Sequence, residues 1–466
     1  MSGQQRNFEL RLLLQNRGML LLPLLLLIIC LPPFISSLQE SRNVSSEFSE
    51  ITVRERERWL NQNPKNPHSA DHFGTWVFKP VSPLSPLDQG VAPYLGRMVR
   101  VEAHVFNDAV FQAAQDSNPL MRSGFSSVSG VIQLLLPLVM LILGFAAFSS
   151  DKERGTIRLA LGNGASPRRW VGARIAALGA ASAVSICIPL ALLGIAALAY
   201  SSGPEWQPML RLALWLMFHL VYAAIFLLLG MAISLVCGTL RAALAAVLLV
   251  WFLMCIAIPR LTGAAVELIA PTPSYQQTRA AIDAETKAFN AAEVSAEREQ
   301  AFLEANGVER AEDLHVDLRG AMFQARDDHD YAVFDNHFGR FFGELEQQEA
   351  VYGLTGALSP KSAVEAVSEA VSGNDFANHV RFVWAAEHYR RLLSDTMNEV
   401  LLESPQAAGQ TIKTGREVWE RVPPFEYHPL SVAGSLRQVL PPLFLLVGWF
   451  VLAASFVFVL AGRMKP

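Results

Sequence analysis

Six separate hydrophobic stretches, each about as long as a bilayer is thick, constrain this chain more than any other feature. Roughly 20 apolar residues in helical form cross the hydrocarbon core of a bilayer, where every backbone polar group must be bonded internally. The stretches therefore predict an all-α polytopic membrane protein with six transmembrane helices. They cover residues 18–38, 127–148, 171–200, 210–237, 242–261 and 439–460.

The composition agrees with this class, because 52% of the 466 residues are hydrophobic and only 17% are charged. The four cysteines lie in or beside the hydrophobic stretches, at positions Cys30, Cys187, Cys237 and Cys255. A disulfide framework would need cysteines in the long polar segments. We therefore expect no structural disulfide. The spacings typical of cysteine metal ligands or redox thiols are also absent from the sequence.

The distribution of Lys and Arg predicts the orientation, since cytoplasmic loops carry an excess of these residues. With a cytoplasmic N-terminus, the short pieces on that side hold twelve Lys and Arg against three Asp and Glu, whereas segment 268–436 holds 14 against 27. We expect both termini in the cytoplasm and the two long segments outside. The first stretch lacks the small-residue cleavage pattern of a signal peptide, so a retained signal anchor is expected. The short pieces are residues 1–17, 149–175, 237–241 and 461–466.

These features divide the chain into five regions. Residues 1–38 form a cytoplasmic N-terminus with helix 1, and residues 39–126 form the first extracytoplasmic region. Residues 127–267 contain helices 2 to 5 with a cytoplasmic loop at 149–170. Residues 268–436 form a second, helical extracytoplasmic region, and residues 437–466 contain helix 6 with a cytoplasmic C-terminus.

The two extracytoplasmic regions differ in character. In the first, a charged stretch at 47–61 is typical of a solvated helix, and the Pro- and Gly-rich piece 72–102 predicts ordered, mostly non-helical structure. In the second, apolar residues at spacings of three and four, among good helix formers, predict helices near 275–305, 318–352 and 375–402. Two of these helices are expected to be antiparallel.

The loop after the second hydrophobic stretch carries charges at both ends and a short apolar run between them. It covers residues 149–170, with Glu153-Arg154-Gly155-Thr156 near its start and Ser166-Pro167-Arg168-Arg169 near its end. Such a segment is able to lie flat at the membrane and receive force from a partner. The alternative is an ordinary amphipathic interfacial helix with cytoplasmic charges, and composition alone leaves both open.

This loop resembles the coupling loop of ABC-2 type permeases, the membrane subunits of ATP-driven transporters. The resemblance lies in Glu153-Arg154-Gly155-Thr156, Ser166-x-Arg168 and Gly172-x-Arg174; the chain departs from the family in Gly162-Asn163-Gly164-Ala165 and in Arg174, where Lys is usual. It implies that the coupling residues facing the ATPase are Glu153, Arg154, Gly155, Thr156, Arg168 and Arg169.

A narrower resemblance, to the DUF3526 group of these permeases, covers nearly the whole chain. Its matched clusters occur in the expected order: His72-Phe73-Gly74-Thr75, Ser82-Pro83-Leu84-Ser85, Asp88-Gln89-Gly90, Tyr94-Leu95-Gly96, Glu102-Ala103-His104, Leu358-Ser359-Pro360, Gly373-Asn374-Asp375-Phe376, His379, Phe382, Ala386-Glu387-x-Tyr389-Arg390 and Asn398.

The resemblance implies the permease subunit of an exporter-type transporter in the cell inner (plasma) membrane. Its implied partners are an ABC ATP-binding subunit, a second permease, identical or related, and the lipid bilayer. An envelope partner is a further candidate, and no nucleic acid is expected. The sequence contains no Gly-x-x-x-x-Gly-Lys-Ser/Thr phosphate loop, so this chain is expected to bind no cofactor and to have no catalytic residue, with ATP and Mg²⁺ in the partner. A mechanotransmission or sensory protein that acts on an envelope partner without moving substrate is the alternative.

Other residues suggest weaker hypotheses. His219, deep in the fourth stretch, is a candidate for a polar transport pathway because ionisable groups inside membranes are usually functional. Arg211 is expected to snorkel towards the outer interface, and Gly130, Gly144 and Gly230 to let helices pack closely. The run Asp327-Asp328-His329-Asp330, with Asp335 and His337, offers metal-ligand types but is more typical of a solvated helix face, so no metal site is predicted.

Overall fold

The computed structural model describes residues 17–112, 127–199, 206–272, 274–403 and 412–464. Six of its helices are long and apolar enough to cross a membrane, which confirms the predicted all-α class and number of spans. The spans are Leu21–Leu60, Val128–Glu153, Pro167–Leu198, Trp206–Val236, Leu240–Ile269 and Leu440–Gly462.

In chain order the helices and strands are as follows: α1 (Arg17–Leu60), α2 (Pro67–Phe73), β1 (Thr75–Phe78), β2 (Met98–Val101), α3 (Val128–Glu153), α4 (Thr156–Gly162), α5 (Pro167–Leu198), α6 (Trp206–Val236), α7 (Leu240–Phe252), α8 (Ile258–Ile269), α9 (Tyr275–Phe289), α10 (Ala292–Ala305), α11 (Leu318–Leu354), α12 (Pro360–Ser372), α13 (Phe376–Leu402), α14 (Arg416–Trp419), α15 (Val432–Gln438) and α16 (Leu440–Gly462). A π-helical turn, Leu253–Ala257, joins α7 and α8 into one span.

Helix α1 continues well past residue 38, where the apolar run ends. It has 44 residues, so it is about 66 Å long at 1.5 Å per residue. Its polar half is held by tertiary contacts: Phe48 packs on Phe78 with ring centroids 4.9 Å apart, and the buried Trp59 indole donates to the Trp419 carbonyl at 2.9 Å. The charged stretch is therefore helical, as predicted, but it belongs to the first membrane helix.

The centre of the membrane bundle is the contact between α3 and α6. A Cβ atom added to Gly144 would overlap the Leu227 carbonyl oxygen, and one added to Gly230 would overlap the Leu141 carbonyl oxygen. Small residues permit such close backbone approach between membrane helices. The prediction of close packing is confirmed at Gly144 and Gly230.

Most of the remaining helices form a polar domain, which we define as residues 47–112, 274–403 and 412–431. The predicted helices are present as α9, α10, α11 and α13, and α11 and α13 are antiparallel because Gly320 lies beside Leu401 while Asp335 pairs with Arg391. Aromatic residues form much of the core, including Phe106, Phe334, Phe338 and Phe382.

The Pro- and Gly-rich piece of the polar domain is largely non-helical, as predicted. It contains the only strands in the described part of the chain, β1 and β2, which pair antiparallel from Thr75 opposite Val101 to Phe78 opposite Met98. Helix α2 precedes β1 and packs against α13, where the Ser394 hydroxyl donates to the buried Asp71 carboxyl group at 3.0 Å.

Helix α12, which the sequence patterns did not predict, connects the polar domain to the membrane bundle. Its buried face, with Ala363, Val364, Val367 and Val371, belongs to the same apolar core as α3 and α6. At its start, the buried N-cap residue Ser359 donates its hydroxyl to the Met254 carbonyl in the π-helical turn. Membrane and polar parts of the chain therefore share one continuous core at this point.

Candidate coupling loop and buried polar sites

The loop predicted to contact an ATPase forms a short helix between α3 and α5. Gly155, the N-cap residue of α4, separates it from α3 with φ +69°, a left-handed conformation that glycine adopts without steric cost. Helix α4 follows immediately and ends before Gly164, where φ is +83°. The two glycine turns allow α4 to run as a separate element between two long membrane helices.

The inner face of α4 is apolar and the outer face is exposed. Ile157 and Leu161 are buried, at 7% and 8% exposure, whereas Leu159 is 70% exposed. The predicted coupling residues Glu153, Arg154 and Thr156 are exposed, and Gly155 is half-buried. Arg168 and Arg169, in the first turn of α5, are exposed too. The structure thus places all six predicted coupling residues in one connection.

The charged residues at the base of this loop bind the neighbouring helices. Asp151 forms an ion pair with Arg174 of α5, whose guanidinium also donates to the Ala147 carbonyl and lies 5.2 Å from the Trp170 ring centroid. Lys152 donates to the Cys237 carbonyl at 3.2 Å and to the Leu235 carbonyl, at the end of α6. The base of the loop is therefore attached to both α5 and α6.

His219, the candidate pathway residue, lies in the packed interior. Its imidazole is fully buried, with Nδ1 2.8 Å from the Trp215 carbonyl oxygen and Nε2 3.4 Å from the Gln133 side-chain nitrogen. It does not line the apolar cleft of about 460 Å³ between α5, α6 and α16, whose wall includes Ser182 and Phe450. A pathway role for His219 remains a prediction.

Arg211 does not snorkel. Its side chain is buried, and its guanidinium donates to the carbonyls of Val371 at 2.8 Å, Ala370 at 3.3 Å and Leu430 at 2.5 Å. The first two carbonyls belong to the last turn of α12, where helices leave acceptors unpaired and favour positive charge. The unpredicted helix α12 supplies these acceptors, so Arg211 joins α6 to the polar domain.

The run Asp327–Asp330 is not a uniformly solvated face. Asp327 and Asp330 are buried, at 0% and 1% exposure, while Asp328 is exposed. The more distant candidates have other partners, since Asp335 pairs with Arg391 and His337 with Glu285. These residues therefore do not converge on a common metal position.

Beside the end of the fifth span, a cavity of about 840 Å³ lies between α8, α11 and α12. Four carboxylate side chains contribute to its wall, from Glu267, Glu349, Glu365 and Glu369. Burial, together with the nearby Glu365 carboxylate, raises the pKa of Glu369 well above its usual range. No local sequence pattern indicates this acidic cavity, because its carboxylates come from three separate helices.

Six membrane-crossing helices, a short loop helix held between α3 and α5, and a polar domain sharing a core with the bundle together define a multi-pass membrane protein. A family model for the ABC-2 family transporter proteins matches residues 9–328, more than half of the chain, so the chain belongs to this family. A second model, for the domain of unknown function DUF3526, matches residues 275–428. Searches of curated proteins and of solved structures found no significant match.

Proposed function

We propose that this chain is the membrane-spanning permease subunit of an ATP-driven exporter, with ATP and Mg²⁺ bound and hydrolysed in separate ATP-binding subunits. The observation that carries the proposal is the exposed outer face of α4, attached through its base to α5 and α6. An ATPase seated on this face from the cytoplasmic side would contact Glu153, Arg154 and Thr156. Membership of the ABC-2 family supports the same arrangement.

The contacts around the loop provide a route for movement. A displacement of α4 would act on α5 through Asp151 and Arg174, and on α6 through Lys152. Because the backbones of α3 and α6 are in close contact at Gly144 and Gly230, the two helices would move together. Arg211 would carry the displacement of α6 to α12 in the polar domain. The exporter is completed by a second permease, identical or related, in the cell inner membrane.

The test compares substitutions in the loop with a matched control. Gly155→Val forces a β-branched residue to φ +69°, whereas Gly162→Val introduces the same side chain at a helical position whose φ is not positive. For both glycines, no described heavy atom lies within 4 Å of an added Cβ. We expect Gly155→Val to lower the ATPase turnover of the purified complex and Gly162→Val to leave it near wild type.

Glu153→Lys tests the charge of the same face. Reversing a charge that contacts the ATPase should weaken co-purification of the ATP-binding subunit, with a cost of about 2 to 5 kcal/mol if the pair is fully desolvated. Membrane insertion should be unchanged, because Glu153 is exposed. Wild-type subunit binding and turnover in both Gly155→Val and Glu153→Lys would refute the coupling role of the loop and favour a passive interfacial helix.

The continuous helix α1 favours one second candidate function, force transmission to an envelope partner without transport. It extends from the membrane-spanning segment to Trp59 in the core of the polar domain, so a movement at one end reaches the other. Reconstitution of the complex in proteoliposomes separates the two functions. Stimulation of ATPase activity by a transported compound supports the exporter; stimulation only by a soluble envelope protein, without accumulation of any compound, supports force transmission.

A further inference from the structure

Three histidines from two segments of the chain meet on the polar domain. His68 and His72 are four residues apart on α2, so they share one face of that helix, and His104 follows β2. The Nε2 atoms of His68 and His72 are 3.2 Å apart. One potential ligand atom from each of the three residues lies within 4.8 Å of the other two.

His104 is held in a defined orientation at a cost in backbone strain. Its φ is +60°, in the left-handed region that a residue with a Cβ adopts rarely. Its Nδ1 atom is 2.8 Å from Oδ1 of Asp327, a carboxylate with 0% exposure whose Oδ2 accepts from the Asn398 amide at 2.8 Å. A carboxylate on one ring nitrogen sets the tautomer that leaves the other nitrogen with a lone pair.

The free nitrogen of His104 lacks a partner. The His104 side chain is 6% exposed, and its Nε2 atom has no hydrogen-bond partner among the described residues. An unsatisfied buried polar atom of this kind costs free energy and calls for an explanation such as an ion. Since His68 and His72 each place a ring nitrogen within 4.8 Å of a ring nitrogen of His104, one cation would bind three lone pairs together.

The surroundings of the cluster suit neutral imidazoles. Burial is the main cause that lowers the pKa of His68, to about 4, and His104 and His72 add to it. The ring of Phe323 stacks on His68 with centroids 3.8 Å apart. The positive charge of Arg326 is nearby, and the Asp327 carboxylate opposes it. Only His72 of the three histidines is exposed, so the cluster opens to solvent on that side.

We propose that His68, His72 and His104 bind one divalent transition-metal ion of the Zn²⁺ type, with Asp327 as the residue that orients His104. Three imidazole nitrogens favour Zn²⁺, Cu²⁺ or Ni²⁺ over Mg²⁺ and Ca²⁺, which prefer oxygen ligands. Three protein ligands with an open side are typical of a zinc ion that keeps an exchangeable position for water or another ligand. The ion would join α2 and the segment after β2, while Asp327 would attach the site to α11.

The experiment uses the full-length protein purified in detergent, stripped with a chelator and then equilibrated with Zn²⁺. We expect one bound Zn²⁺ per chain by elemental analysis, and visible absorption bands of a nitrogen-ligated ion when Co²⁺ replaces Zn²⁺. Competition with a chromophoric chelator measures the affinity for Zn²⁺. His72→Ala, at the exposed ligand, should abolish the stoichiometric ion. Asp327→Asn should weaken binding about 10- to 100-fold, as second-shell substitutions do.

His428→Ala is the matched control, because the His428 side chain lies on the same domain and is 81% exposed. Within the described residues, its one ion pair is with Glu426. It should retain wild-type stoichiometry and affinity. Size-exclusion profiles and thermal unfolding midpoints of the metal-free proteins verify that each variant is folded; if Asp327→Asn does not fold, His72→Ala decides alone. Binding of less than half an equivalent by wild type, or equal binding by wild type and His72→Ala, would overturn the proposal.

Discussion

Buried charged side chains in this protein bind helix ends and oppositely charged groups. Arg211 binds the last carbonyls of α12, and Arg390 forms two hydrogen bonds of 2.7 Å with Glu387, each side chain 2% exposed. Isolated buried charges are strongly unfavourable, so such partners are required. The family-like cluster Ala386-Glu387-x-Tyr389-Arg390 therefore has a structural role here, since it holds α13 against Asp335 of α11 through Arg391.

Replacing Arg211 tests the connection between α6 and the polar domain. Arg211→Met keeps an unbranched apolar stem but removes the donors to Ala370, Val371 and Leu430. We expect a loss of about 2 to 3 kcal/mol of stability, because hydrogen bonds from a charged group to buried acceptors disappear. Thermal unfolding in detergent measures it, with the exposed Arg437→Met as control. Equal unfolding midpoints for the two variants would contradict the role of Arg211 in binding the last carbonyls of α12.

His379 should make the stability of the protein depend on pH. Burial, with the nearby Lys79 cation, lowers its pKa from 6.5 to about 3, and its Nδ1 atom is buried without a partner among the described residues. Between pH 6.5 and 3 the unfolded chain binds a proton at this residue that the folded protein does not. Stability is therefore lost as the pH falls through this window, by up to about 1.4 kcal/mol per pH unit.

The measurement is the unfolding midpoint of wild type, His379→Gln and His428→Gln between pH 7.5 and 4. We expect the His379→Gln protein to lose less stability on acidification than wild type, while the exposed His428→Gln follows wild type. Parallel curves for all three proteins would show that His379 is protonated with the same pKa in the folded and unfolded states.

At the scale of elements, the contact between α3 and α6 decides how the bundle packs. The helices approach so closely that side chains at Gly144 and Gly230 would overlap backbone atoms of the other helix, and backbone cannot move aside as a flexible side chain does. Ser234 of α6 adds a polar contact, since it donates to the Phe145 carbonyl at 2.7 Å. The pair thus combines small residues with an interhelical hydrogen bond.

Gly230→Val should disrupt this pair. The added side chain meets the Leu141 backbone, so we expect destabilisation at or above the upper end of the 1 to 3 kcal/mol typical of overpacking. Gly448→Val in α16 is the control, because no described heavy atom lies within 4 Å of its added Cβ. The yield of monodisperse protein and its thermal midpoint report the effect; a Gly230→Val protein as stable as Gly448→Val would refute the close contact.

At the scale of the whole molecule, the coupling loop and the polar domain should lie on opposite sides of the membrane. Gly162 of α4 and Asn306 after α10 are both exposed. In a background without Cys30, Cys187, Cys237 and Cys255, single cysteines at the two positions are treated with an impermeant thiol reagent on intact cells. We expect labelling at Asn306→Cys and at Asn61→Cys but not at Gly162→Cys. The reverse pattern would invert the orientation.

The sequence by itself determined the six spans, the helices α9, α10, α11 and α13 of the second polar region and the short loop helix α4. Each of these follows from a local property of the sequence, which is either an apolar stretch as long as the bilayer is thick or apolar residues repeated every three to four positions. Neighbouring segments do not change such a property. Glycine at 155 similarly indicates a turn, because its φ of +69° is a property of that residue and its immediate neighbours.

Only the tertiary structure decided the length of α1, the environment of Arg211 and the meeting of the three histidines. In α1 the polar half is held by Phe78 and Trp419, which are distant in sequence, so its local pattern could not show that it continues the membrane helix. The pair His68 and His72 had a visible spacing of four, but His104 and Asp327 reach it from β2 and α11. Such sites depend on distances between segments, and these distances exist only once the core has packed.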